Sequence, residues 1–208
     1  GAVTLAAATT LDTGNAAAGI LNVGAVTSGT NALTLDSGST GGATIGLTSF
    51  ADATGGLTIR DAGGLATIGA VGSGTAGNVT ITNSQAGVTF SSTVDAGTLS
   101  ITDTADNQDV TFGGDVAAVT LTTTANAYDL VFQENVTVTN DVTFAAIRNL
   151  DLGGATDDVA TFTGGLDATA ATGTVTVAGT INTTNTQMDL GAVTLAAATT
   201  LDTGNAAA

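Results

Sequence analysis

Cysteine and proline are absent from this chain of 208 residues, lysine and histidine are absent too, and the only basic side chains are Arg60 and Arg148. Without Cys there is no disulfide framework and no thiol chemistry. Without Lys there is no intramolecular Lys–Asn isopeptide link. Without Pro, no residue is barred from donating its N–H to a β-ladder. Two cations against 18 Asp and Glu give a net charge of −16. The chain therefore lacks a basic footprint for nucleic acid, and polyphosphate and anionic membrane surfaces would repel it. No apolar run approaches the ~18 residues that would span a bilayer. Aromatics are only 3% of the chain, which leaves the core to small and branched side chains.

What is present points to strands. Hydrophobic residues make up 43% and charged residues only 10%, the opposite of a disordered composition. Val, Ile, Thr and Phe favour strands, and the 29 Gly and many Asn mark turns. Apolar–Thr–apolar triads recur throughout, among them Val3-Thr4-Leu5, Leu33-Thr34-Leu35, Leu57-Thr58-Ile59, Val79-Thr80-Ile81, Val88-Thr89-Phe90, Val110-Thr111-Phe112, Val119-Thr120-Leu121 and Val175-Thr176-Val177. Alternation with period 2 turns the outer two residues inward and the Thr outward. One series starts at Ile45, Ile68, Val88, Val110, Leu130 and Leu150, and a second at Leu33, Leu57, Val79, Leu99 and Val119, with Val71, Val94 and Val116 between them. The pattern predicts an all-β chain, a parallel β-solenoid with about three short strands per turn of about 21 residues. The handedness rule for parallel crossovers makes a right-handed coil the default. From Asp157 to Met188 the triads lose their register, and no strands are assigned there.

A longer period lies over the short one. GAVTLAAATTLDTGNAAA occupies Gly1–Ala18 and returns letter for letter as Gly191–Ala208, an offset of 190 residues. Residues 1–190 are read as one solenoid unit of about nine turns and residues 191–208 as the start of the next. The expectation is a tandem array or periodic filament in which the two copies take equivalent places.

The [VLI]-T-[LIVF] triads, the turn length and the Thr, Gly, Asn and Ala bias resemble the β-strand-repeat shafts of large bacterial surface proteins, namely filamentous-haemagglutinin-like adhesins and autotransporter passengers. The resemblance spans the whole chain and is compositional. It implies a right-handed parallel β-helix, secretion, and an extracellular or cell-surface place.

Few residues suggest chemistry. The loop Asp103-Thr104-Ala105-Asp106-Asn107-Gln108-Asp109 is the densest set of oxygen ligands, the donor type that Ca²⁺ takes six to eight of. Asp109 and Asp129 each precede a triad 20 residues apart, with Asn149 at the same interval. Stacked carboxylates repel, so a bridging cation or a raised pKa is expected. Asp103, Asp106, Asp109 and Asp129 are thus candidate Ca²⁺ ligands, set against the plainer reading of solvated turn corners. Glu134 and the Asp157-Asp158 pair are the carboxylates that a polysaccharide-cleaving site would use. No aromatic platform accompanies them, and Arg60 and Arg148 lie about four turns apart, roughly 20 Å along the axis. The chain is therefore read as not an enzyme. Thr80-Ile81-Thr82, Ser100-Ile101-Thr102 and Thr120-Leu121-Thr122 form T-x-T rows like those of ice-binding solenoids, broken by Asp36 and Arg60 in neighbouring turns. Asn78, Asn135 and Asn182 stand in N-x-T sequons, which so much Thr and Asn produces by chance.

The functional expectation is a stiff structural segment of a cell-surface fibre or adhesin stalk that stacks head to tail on itself. The alternative is a module that binds glycans or another cell surface.

Overall fold

The computed structural model describes residues 1–15, 19–52, 54–72 and 77–204, and among them there is no helix. The triads are strands, as the alternation requires. Val88, Phe90, Val110 and Phe112 are fully buried, while Thr89 and Thr111 between them are half-exposed. All strand pairings are parallel, and partners lie about one coil turn apart in sequence. The chain is a parallel β-solenoid with three ladders, one per side.

The first ladder runs Leu21, Ile45, Ala66, Val88, Val110, Leu130, Leu150, Val175, Val193. The second runs Val3, Val26, Phe50, Val71, Val94, Val116, Val136, Ala160, Ile181, Leu201. Its nine steps cover 198 residues, or 22 per turn. The third runs Thr9, Leu33, Leu57, Val79, Leu99, Leu121 and, after an interruption, Val142, Leu166, Met188.

Inward side chains of successive turns stack into one continuous core that extends from Leu5 to Leu190. Its scarce aromatics are used in a column: the rings of Phe90, Phe112 and Phe132 stack at centroid distances of 4.9 and 5.0 Å. That spacing is the strand spacing itself, so rings on the same ladder position meet face to face at each turn. At the corner between the first and second ladders the chain must pass close to the turn below. A Cβ on Gly69 would lie 1.8 Å from the carbonyl oxygen of Thr48, so glycine is the residue that fits there.

Three readings of the sequence change. Ala66, not Ile68, continues the ladder from Ile45, because Ile68 pairs with Leu47. Leu121, not Val119, sits over Leu99; Val119 is 49% exposed at the bend. The stretch from Asp157 to Met188 holds the strands Val159–Phe162, Leu166–Asp167, Val175–Thr183 and Met188–Asp189, whose inward positions include Ala160 and Ala168.

The two copies of the 18-residue stretch do not take equivalent places. Val3 lies on the second ladder and Thr9–Asp12 on the third. Their counterparts Val193 and Thr199–Asp202 lie on the first and second. Eight turns carry Val3 to Ile181, and Val193 comes two ladders later. The offset of 190 residues is therefore about eight and two-thirds turns, and the copies differ by one side of the coil.

Candidate functional site

Asp109 and Asp129 are stacked as the 20-residue interval predicts, directly paired in the first ladder. Burial of Asp129 to 8% exposure would be costly for an unpaired charge. Arg148, one turn on, covers it: its Nε donates to Asp129 Oδ1 at 2.7 Å and its Nη2 to Oδ2. The backbone N–H of Asn149 adds a third donor to Oδ1 at 3.1 Å. The charge of Asp129 is thus met by a guanidinium held in a fork geometry. The turn above brings in a third carboxylate, Asp151, outward in the same ladder beyond Val131. Burial pushes Asp151 above the usual carboxylate range; a hydrogen bond with Thr176 opposes this, and the charges of Asp129 and Asp109 add to it.

Asp103 and Asp106 are not drawn to that point. They lie in the preceding loop, which is fixed by backbone contacts: Ala105 N–H donates to Ser84 O at 2.7 Å and Asn107 N–H to Ala127 O at 2.9 Å. Asn107 takes the left-handed conformation, φ 63°, which Asn tolerates. Among the described residues no three acidic side chains gather as metal ligands.

A second acidic corner was not read from the sequence. Asp12 and Asp36 are paired across the third ladder, and Asp61 follows after a shift of register. Arg60 bridges Asp36 and Asp12, reaching Asp12 Oδ2 at 3.3 Å. Asn83 Nδ2 donates to Asp61 at 2.8 Å. Each of Asp12, Asp36 and Asp202 also accepts the N–H of the Gly two residues on, at 2.7, 2.8 and 2.8 Å. These Gly have φ between 73° and 83°, so the D-[TS]-G signature marks an Asx-type turn. That signature was present in the sequence as Asp12-Thr13-Gly14, Asp36-Ser37-Gly38 and Asp202-Thr203-Gly204.

The remaining candidates separate. Asp158 is buried and accepts the N–H groups of Gly154 and Ala155 at 2.6 and 2.7 Å, so it closes its own loop. Asp157 and Glu134 are exposed. The outward hydroxyl row of the third ladder is Thr10, Thr34, Thr58, Thr80, Ser100, Thr122; Thr120 leaves it and accepts a hydrogen bond from Asn140 at 2.8 Å. Of the sequon residues, Asn135 is engaged at both ends, with Asp115 at 2.9 Å and with Val159 N–H at 2.9 Å. Asn78 is exposed and Asn182 half-buried. Tyr128 is fully buried with its hydroxyl on Ile101 O at 3.3 Å, and burial raises its pKa.

One open groove of about 580 Å³ follows the bend between the first and second ladders, lined by Asn22, Val23, Gly24, Gly46, Leu47, Thr48, Thr67, Gly69 and Ser91. The other distinctive surfaces are the coil's ends. Among the described residues, Val193–Asp202 pairs with the preceding turn only, and Val3–Thr4 and Thr9–Asp12 with the following turn only. Leu195 and Leu201 stand 63% and 53% exposed on that last strand. No family model matches this chain, and no match is found among curated proteins or solved structures.

Proposed function

We propose that this chain is a stiff structural segment, the shaft of an extracellular or cell-surface fibre or adhesin stalk, and that it joins end to end with copies of itself. The observation that carries this reading is the second ladder, which runs without a break from Val3 to Leu201 over one continuous core. Each turn is fixed by its neighbours, so length can be added without a change in cross-section. The cross-turn ties have the same character: Arg148, Arg60, Asn83 and Asn135 each connect one turn to the next. The surface location is supported by the resemblance of the triads to bacterial surface shafts. In this reading the segment performs no reaction.

Joining two or three 190-residue units in one gene should lengthen the particle seen by small-angle scattering in steps of about 42 Å at constant cross-section. A cross-section that grows with each unit would rule out a shaft. The groove at Asn22 and Thr67 favours a second reading, a neutral-glycan contact, because its rim offers amide and hydroxyl groups. Glycan-array binding that is lost in Asn22→Ala would support it.

A further inference from the structure

The two identical stretches use opposite edges. In Gly1–Asp12 the strands lie under the turn Leu21–Asp36: Val3 pairs with Val26, Thr4 with Thr27, and Thr9–Asp12 with Leu33–Asp36. Side chains reinforce the joint, with Asn31 Nδ2 on Leu5 O at 2.8 Å and Arg60 on Asp12. In Gly191–Asp202 the same sequence lies on top of the turn Val175–Asn182 and leaves its upper edge open among the described residues. The cost is visible in one side chain: Leu5 is 8% exposed, whereas its counterpart Leu195 is 63% exposed.

We propose that the upper edge of Val193–Asp202 receives the Leu21–Asp36 turn of a second copy of this chain, displacing that copy's own Gly1–Asp12. This rests on the end-to-end reading above and gives it a joint. Because the displacing strand has the same sequence as the one it replaces, it recreates each contact: Val193 on Val26, Thr199–Asp202 on Leu33–Asp36, Leu195 O on Asn31, Asp202 on Arg60. The exchange matches pairing for pairing, and it covers an edge that was open. An exposed strand edge is a template for such addition. The geometry also fixes the rotation. Val193 lies on the first ladder of its own molecule, and Val26 lies on the second ladder of the other. Successive molecules are therefore turned by one side of the coil, and the same side returns after three.

The test uses the full chain, which has no cysteine of its own. Thr10 is paired with Thr34 within the chain, so the joint places Thr200 over Thr34 of the neighbour. A Thr34→Cys, Thr200→Cys double variant should form a series of disulfide-linked oligomers under oxidation, and neither single variant should go beyond a dimer. Two further substitutions should act in opposite directions. Leu201→Asp, at an exposed position, should raise the concentration needed for assembly at least tenfold. Leu11→Asp loosens the arm that is displaced and should lower it. Circular dichroism checks that both variants keep their fold. Assembly that proceeds without the Thr34–Thr200 link, or that both substitutions weaken alike, would overturn this joint and leave end-to-end growth standing. No concentration-dependent assembly at all would overturn both.

Discussion

Removing Arg148 should harm the fold more than neutralising the carboxylate beneath it. Asp129 is nearly buried and Arg148 about one-third exposed. Arg148→Met would strand a desolvated charge beside Asp109, at a cost of about 2–3 kcal/mol, short of the value for a fully buried pair because water still reaches the site. Asp129→Asn leaves a guanidinium that can turn to solvent and should cost about 1 kcal/mol. Urea melts of the two variants and of the double variant decide it, and equal costs would refute the asymmetry. Asp151 makes a prediction in pH. Its folded pKa is raised, so the native state holds its proton more tightly than the unfolded chain does. Stability from this group is present below the ordinary carboxylate range and is lost as pH rises through the raised value. Asp151→Asn should therefore raise the melting temperature at neutral pH, and the gain should disappear in acid. A gain that is constant across pH would show that ionisation is not its cause. These contacts were half legible in the sequence. The 20-residue interval from Asp109 to Asp129 fixed their stacking, and the same interval places Asn149, hence Arg148, above Asp129. The guanidinium is harder to read, because Arg148 stands one position short of that interval and reaches Asp129 through its long side chain.

Within a strand, each inward–outward–inward triad meets opposite demands. Val110 is fully buried and Thr111 half-exposed. Val110→Asp should cost several kcal/mol, since nothing in the core can pair the charge, while Thr111→Asp should cost under about 1 kcal/mol. If both unfold the chain equally, the inward and outward assignment fails. The corner is less forgiving than the strand. Gly69→Ala puts a methyl against a backbone carbonyl that cannot rotate away, so a fall of about 1–3 kcal/mol is expected, larger than for any exposed Thr. EDTA should leave the melt unchanged, because Arg148 already neutralises Asp129; a lower melting temperature in EDTA would restore Ca²⁺ to that corner. Triads with two large apolar residues were easy to read as strands. Where alanine takes the inward place, as at Ala66 and Ala160, the small side chain hides the alternation. Val119 misled in the opposite way, because a bend turns it outward although its triad looks like the others.

The coil was legible because its period is written in side chains that recur every turn. Its phase was not, because the turns vary in length and only their sum decides which side a residue faces. About nine turns at ~4.8 Å make a rod of about 43 Å. The 190-residue offset, however, is two-thirds of a turn beyond eight, so a tandem array would rise about 42 Å per unit and regain its orientation after three units, about 125 Å. Fibre diffraction should show a meridional reflection near 4.8 Å and layer lines of the longer period; a period equal to one unit would mean that the offset is a whole number of turns.

The parallel coil also sets how the molecule would yield to tension. The chain enters at one end and leaves at the other, and the ladder bonds lie along the line of pull. A load on the two termini would therefore peel the outermost turn first rather than shear the whole stack. Each turn gives up about 4.8 Å of height and releases about 22 residues, some 75 Å of extended chain. A tether of this kind would lengthen in many small, similar steps, dissipating work a turn at a time while the remaining rod stays folded.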